Sequence, residues 1–245
     1  MAPKIVVAVL EKVKEGATLA QVKEAWKMVA DASAKVPGML RFQSSWNEEQ
    51  QRAMITEVFD SPEDYLAFFS NIDMKLIQPA IEFLDLNLVC SRAHLPGFGD
   101  LIKNFAFKVF LTDECPGENK LAPTSNSKLV VTAMEAIKEG HTLEEAKALW
   151  AHVSEAAAKV RGAKRFQSSW NDELKQGLIT EIFDTPEDYM AFFSHVDTSK
   201  MACIDFKGIT ISCSRADLPA LDSLLSGFPF QAFLTDGCAG DEKMY

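Results

Sequence analysis

Residues 4–117 of this chain are written a second time at 128–240. Arg41-Phe-Gln-Ser-Ser-Trp-Asn47 returns letter for letter as Arg165-Phe-Gln-Ser-Ser-Trp-Asn171, and Arg41–Ser70 matches Arg165–Ser194 at 21 of 30 positions. The offset is 124 residues through Asp73/Asp197 and 123 by Ser91/Ser214, so the second copy lost one residue between them. A period this long exceeds the ~20–50 residues of solenoid repeats, which makes each copy a domain rather than a stacking unit. The chain therefore divides into a first repeat at 1–117, a linker at 118–127 and a second repeat at 128–245. Two copies of one fold in one polypeptide amount to a homodimer fused end to end.

Charge narrows the partners. The 245 residues carry 35 acidic and 25 basic side chains, a net charge of −10. A phosphate backbone is repelled by such a surface, and no Lys/Arg cluster offsets it, so nucleic acid is not an expected partner. No apolar run approaches the ~18 residues of a membrane span. Met1-Ala-Pro-Lys4 runs directly into Ile5–Leu10 without a basic leader or cleavage site, which points to a soluble, intracellular and cytoplasmic protein. Of the five cysteines, Cys90/Cys213 and Cys115/Cys238 are repeat partners. Cys90 and Cys213 sit in apolar strands as core residues. Cys115 and Cys238 follow Leu-Thr-Asp, either as reduced thiols or as a pair across a pseudo-twofold axis, and an intracellular setting favours the reduced state.

Periodicity gives the elements. Ile5–Val13 and Leu129–Ile137 are β-branched strands. Thr18 with Gln21, and Thr142 with Glu145, are capping boxes opening helices whose apolar faces carry Trp26 and Trp150 as anchors on a sheet. Leu40–Trp46 and Ala53–Phe59 form a hairpin, repeated at 165–170 and 178–183. Ser61-Pro-Glu-Asp64 and Thr185-Pro-Glu-Asp188 start a second helix, with Ser or Thr as cap, Pro at the first position and acids where the helix dipole favours them. A further helical piece is expected near Ile77–Phe83. A strand over Leu84–Ser91 would place Leu84, Leu86, Leu88 and Cys90 on one face, and each copy closes with a last strand at Phe107–Leu111 or Phe230–Leu234. The order βαββαβ plus an extra strand is a ferredoxin-like split βαβ unit, so the fold class is α+β. One sheet face takes the helices. The other is apolar enough to need cover, which the second copy would supply in an intrachain dimeric α+β barrel.

The run Glu57-Val-Phe-Asp-Ser-Pro-Glu-Asp-Tyr-Leu-Ala-Phe-Phe-Ser-Asn71, with the tail His94-Leu-Pro, Leu101 and Phe107-Lys-Val-Phe110, resembles the antibiotic biosynthesis monooxygenase-like family of small dimeric α+β barrels. The resemblance covers nearly all of both copies. It implies a small-molecule ligand and, if there is turnover, cofactor-independent oxygenation or cyclisation of an aromatic or polyketide-like compound, without flavin or metal. The family also contains haem-degrading enzymes and members with no known activity. The helix position that often carries histidine in the family is Phe68 here and Phe192 in the second copy, while Asn71 is matched by His195.

Candidate pocket residues follow from strand alternation. Arg41, Gln43 and Ser45 share one face, and Phe42, Ser44 and Trp46 the other; alternation leaves open which faces an interior. Trp46 and Trp170 are candidate stacking walls. Ser44, Ser168, Asn47, Asn171 and Asn71 are candidate orienting groups. Glu57 and Glu181 lie in apolar strands, either ion-paired with Arg41 and Arg165 or buried with raised pKa as general bases. His195 is the candidate proton carrier, placed near a pocket by the family resemblance alone. No metal-ligand spacing, phosphate loop or nucleophile elbow occurs. The rival readings are a binding protein without turnover and a scaffold with a filled interior. A fused pseudo-dimer can be complete as a monomer, though exposed strand edges could still pair between chains into a homodimer.

Overall fold

The computed structural model describes residues 4–121 and 128–240. Its elements run β1 (Ile5–Val13), α1 (Leu19–Ser33), β2 (Met39–Asn47), β3 (Arg52–Phe59), α2 (Pro62–Ser70), α3 (Met74–Ile77), β4 (Ile81–Cys90), α4 (Gly99–Asn104), β5 (Lys108–Leu111) and β6 (Gly117–Asn119). The sequence copy repeats them as β7 (Leu129–Ile137), α5 (Leu143–Ala158), β8 (Ala163–Asn171), β9 (Gln176–Phe183), α6 (Pro186–Ser194), β10 (Ile204–Cys213), α7 (Asp222–Gly227) and β11 (Phe230–Leu234). Contacts group the described residues into two compact units: 4–109 with 233–240, and 110–121 with 128–232. The tail of each sequence copy thus belongs to the unit built on the other copy. Most of the linker and the first three residues lie outside the described residues, but Gly117–Asn119 forms a strand.

Unit 1 is an antiparallel sheet in the order β4-β1-β3-β2. Unit 2 repeats it as β10-β7-β9-β8 and adds β6 at the β8 edge. This is the ferredoxin-like order expected from the sequence. The edges of β2 and β8 receive twin tails. Gly240 bridges to Gln43, and Gly117 pairs with Gln167. Gly240 sits at φ +110°, where a Cβ would lie 2.7 Å from the Phe42 carbonyl oxygen, so no larger residue fits without displacing backbone.

Capping fixes the helices as read. Thr18 Oγ1 accepts the Gln21 amide at 3.3 Å and Gln21 Oε1 accepts the Thr18 amide at 2.8 Å. Thr142 and Glu145 repeat the box at 3.2 and 2.7 Å. Ser61 and Thr185 each take the amide three residues on, of Asp64 and Asp188, at 3.1 Å. Each unit has its own core between sheet and helices. Val7, Val22, Trp26, Phe59 and Phe68 are among its fully buried members in unit 1, and Val131, Ala146, Trp150, Phe183 and Phe192 in unit 2.

Two expectations need correction. The helix near Ile77–Phe83 is only the turn Met74–Ile77, and β4 already begins at Ile81. Leu84 does not share a face with Leu86, Leu88 and Cys90. The pairing of β4 with β1 steps from Asp85–Leu10 to Phe83–Glu11, leaving Leu84 as the extra residue of a β-bulge and 37% exposed. The second copy keeps the bulge at Lys207, where pairing steps from Gly208–Met134 to Phe206–Glu135. None of the five cysteines forms a disulfide.

Since the two capping boxes are alike, Thr18→Ala and Thr142→Ala should each cost about 1 kcal/mol in urea unfolding. A cost near zero in either would mean that its hydroxyl does not hold the helix start.

Candidate functional site

Strand register decides which side chains meet the helices. Glu57 on β3 pairs with Val7 on β1 and with Phe42 on β2, so these three share one face. Arg41 pairs with Val58 and emerges on the opposite face, because Leu40 is the extra residue of a bulge between Met39 and Arg41. The same holds in the second copy, where Glu181 faces with Val131 and Phe166 while Arg165 pairs with Ile182. The ion pairs Arg41–Glu57 and Arg165–Glu181 are therefore precluded by the pleat. Both glutamates lie beneath the helices with apolar neighbours.

There they meet a second carboxyl in each unit. Alternation along β1 carries Ile5, Val7 and Val9 into the core and brings Glu11 to the same side, 2% exposed. The Trp26 indole N–H donates to Glu11 Oε1. In unit 2, Trp150 Nε1 donates to Glu135 Oε2 at 2.8 Å. Trp26 and Trp150 anchor their helices as the sequence suggested, with a hydrogen bond that it did not.

Each carboxyl pair borders a cavity inside its own unit, of about 70 Å³ in unit 1 and about 60 Å³ in unit 2. The deep wall of the first is buried: Glu11, Trp26, Phe42, Glu57, Tyr65 and Phe68. Its rim is half-buried and apolar, with Phe69, Met74, Phe83, Phe105 and Phe107. Rim rings meet edge to face: Phe69 and Phe105 at 5.1 Å, Phe105 and Phe107 at 6.4 Å. The second cavity repeats this wall with Glu135, Trp150, Phe166, Glu181, Tyr189 and Phe192, and its rim with Phe193, Phe228 and Phe230. Phe193–Phe228 and Phe228–Phe230 stand at 5.2 and 6.2 Å.

Burial governs the electrostatics. Desolvation pushes Glu57 up to about 8, and the nearby Glu11 charge adds to the rise. Glu11 is pushed up to about 7 by burial, partly offset by the Trp26 hydrogen bond. Glu181 reaches about 8 through burial and the Glu135 charge, with the Tyr189 hydroxyl working the other way, and Glu135 reaches about 7. Tyr65 and Tyr189 are held well above the usual phenol range, first by burial and then by the neighbouring glutamate. Near neutral pH each cavity therefore holds a carboxyl pair in the middle of its titration, able to take up or give a proton at little cost.

The other sequence candidates lie elsewhere. Trp46 is buried behind Trp26 at 6.3 Å between ring centroids and donates to Glu48 Oε2 at 2.8 Å. Trp170 stands likewise to Trp150 at 6.3 Å. Ser44 donates to the Ala239 carbonyl, and Ser168 to the Pro116 carbonyl at 2.6 Å, tying tails to sheet edges. Asn47 and Asn171 accept the Gln50 and Leu174 amides at 2.8 Å and so shape the hairpin turns. Asn71 and His195 are exposed residues ending α2 and α6, and neither lines a cavity. Arg41 and Arg165 are buried on the sheet face away from the helices. Of the twelve, Glu57 and Glu181 border the cavities. Missed in the sequence were Glu11 and Glu135, whose signal is an acid continuing the buried Ile5-Val7-Val9 and Leu129-Val131-Ala133 alternation in both copies. Cys115 and Cys238 are half-buried and pushed up to about 11, chiefly by burial, which leaves them poor nucleophiles. Among the described residues, no group of three or more His, Cys, Asp or Glu could hold a metal ion.

This fold and pocket define a tandem α+β protein of the dimeric α+β barrel type, with an apolar cavity under the helices of each unit. Residues 3–80 match the antibiotic biosynthesis monooxygenase family, and the second copy repeats the sequence of the first. Among solved structures, a protein from Fusobacterium nucleatum provisionally described as a monooxygenase aligns with a TM-score of 0.57 at 15% identity, covering 86% of this chain and 90% of its own. One from Lactobacillus acidophilus with the same provisional description aligns at 0.50 and 12%, covering 86% and 92%. A haem-binding protein from Thermus thermophilus aligns at 0.50 and 10%, covering 92% and 96%. At these identities the likeness is one of fold. No curated protein sequence matches the chain. Among the described residues, no helix is long and apolar enough to cross a membrane.

The raised carboxyls set a sign for pH. Their folded-state pKa values, about 7 and 8, exceed the ordinary 4.5, so the folded chain holds protons that the unfolded chain releases. The resulting stabilisation is complete below about pH 4.5 and is lost as pH rises through about 8, at roughly 1.4 kcal/mol per pH unit for each such group. Urea midpoints should fall from pH 5 to pH 8. The double variant Glu57→Gln, Glu181→Gln should fall less and exceed the parent at pH 8.5. A parent curve that rises across this window would contradict the burial of these groups.

Proposed function

We propose that the protein binds a small aromatic compound in each unit and carries out proton-transfer chemistry on it, as a monooxygenase-like enzyme. The observation that carries this reading is the retention, in both copies, of an ionisable carboxyl pair inside an otherwise apolar aromatic cavity. Burying one acid costs several kcal/mol unless it is fully compensated. A purely structural pocket gains nothing from it. A carboxyl with pKa near neutrality, bordering a cavity, is placed to act as general base.

In this reading Glu57, and Glu181 in the second unit, removes a proton from the bound ring compound. Glu11 or Glu135, held by its tryptophan, orients the reacting group. The electron-rich anion then reacts with dioxygen. At a ring methylene, one oxygen atom becomes the carbonyl oxygen and the other leaves as water with the two hydrogens, so the balance needs no external reductant. The matched family supports the reaction class. The size of the cavity narrows the substrate. A cavity of about 70 Å³ is half the ~150 Å³ that accepts benzene in an apolar protein core. Even a single ring must therefore extend between the half-buried rim aromatics, and a polycycle suits the cavity less. The proton role that the family resemblance gave His195 passes to Glu57 and Glu181.

The test is oxygen uptake across a panel of single-ring quinols and phenols, with anthrone included as a polycyclic comparison. Turnover should fall at least about 100-fold in Glu57→Gln, Glu181→Gln, the lower range for loss of a general base. His195→Ala should retain it. Loss in His195→Ala with retention in the glutamine variant would overturn the assignment. Uptake with no compound, alongside a co-purified ligand in native mass spectrometry, would favour a binding protein without turnover.

A further inference from the structure

We infer that the ligand of each cavity carries a positively charged amine, seated against Glu11 and Glu57 in one unit and Glu135 and Glu181 in the other. The inference rests on reading the cavities as ligand sites and narrows the aromatic compound to one with an ammonium group.

Three observations converge on charge. The groups facing the cavity of unit 1 are Glu11 from β1, Glu57 from β3 and Tyr65 from α2. The lining contributed by α1, β2, β4 and the Phe105–Phe107 segment is Trp26 or apolar side chains. Every ionisable group that meets the cavity is thus an acid, and no basic side chain lines it. Glu57 is 5% exposed and borders the cavity, and its twin Glu181 does the same at 7%. One carboxyl of each pair is held by an indole; the other lies at the cavity wall, where in unit 2 the Tyr189 hydroxyl hydrogen-bonds Glu181. The walls around the pair are aromatic faces: Trp26, Phe42, Tyr65 and Phe68, with Trp150, Phe166, Tyr189 and Phe192 in the twin. Aromatic walls around a desolvated site stabilise a cation through the ring quadrupole. An ammonium offers three donors to two carboxyls, whereas a carboxylate or phosphate would meet only acids.

The duplication gives an independent check within one chain. Surface positions have diverged between the copies, as at Gln50/Leu174 and Gln51/Lys175. The two acids, the tryptophan, the tyrosine and the aromatic wall are identical at Glu11/Glu135, Trp26/Trp150, Phe42/Phe166, Glu57/Glu181 and Tyr65/Tyr189. Both sites are therefore retained, and the chain binds two ligands.

Shape-matched probes test this: benzylamine, benzyl alcohol and benzoate, titrated calorimetrically into the full chain at pH 7 in phosphate and in Tris. Benzylamine should bind at least about tenfold tighter than benzyl alcohol, at about two per chain, and release up to about one proton per molecule bound as a carboxyl ionises against it. Benzoate should bind weakest. In Glu57→Gln, Glu181→Gln, which keeps shape and neutrality, benzyl alcohol binding should persist while the amine preference and proton release vanish. Benzyl alcohol binding as tightly as benzylamine, or benzylamine binding without proton release, overturns the charge assignment and leaves the pocket intact. Binding of none of the three overturns both.

Discussion

The indole–carboxyl contact at Trp26–Glu11 and Trp150–Glu135 joins helix to sheet in each unit, and the cavity is built around it. A tryptophan buried on a helix needs an acceptor for its N–H, and a buried glutamate needs a donor. Each satisfies the other across the same separation of fifteen residues in the two copies. With the helix docked by this bond, the rest of its apolar face closes over Val7, Val9 and Phe42, or Val131, Ala133 and Phe166. The second acid is left at the cavity wall. The carboxyl pair costs stability at neutral pH, which is the expected sign for a site maintained for chemistry rather than for packing.

Much of the fold could be read in the letters because local rules and global packing agree. The boundaries of β1 and β7 fall where the β-branched runs end, and the Thr18/Gln21 and Thr142/Glu145 boxes start the helices as their chemistry requires. Where the reading slipped, a bulge was responsible. One extra residue at Leu84 or Lys207 reverses the facing of everything before it, which no alternation count can reveal. The same device explains the pocket. Bulges at Leu40 and Lys164 set Phe42 and Phe166 toward the helices and turn Arg41 and Arg165 away from the glutamates that sequence proximity suggested as partners.

The site was legible only in part, for a related reason. Conspicuous polar letters such as Ser44, Asn47 and their twins serve turns and edge attachments. The letters that border the cavities are acids at core positions, recognisable only once the face is known. Glu11 could have been found: it continues an apolar alternation at a position where leucine or valine would be cheaper, and the second copy makes the same choice. Duplication within one chain thus supplies what an isolated sequence lacks, a second solution to the same packing problem. Its agreement on costly residues separates function from stability.

The most direct test follows the glutamate side-chain carboxyls by carbon-detected NMR as pH is raised, with Glu11, Glu57, Glu135 and Glu181 assigned by single glutamine substitutions. The account predicts that these four titrate between about pH 7 and 8 while exposed glutamates titrate near the ordinary value of 4.5. Midpoints near 4.5 for all of them would mean that the carboxyls are solvated, and that no dry proton-exchanging pocket lies beneath the helices.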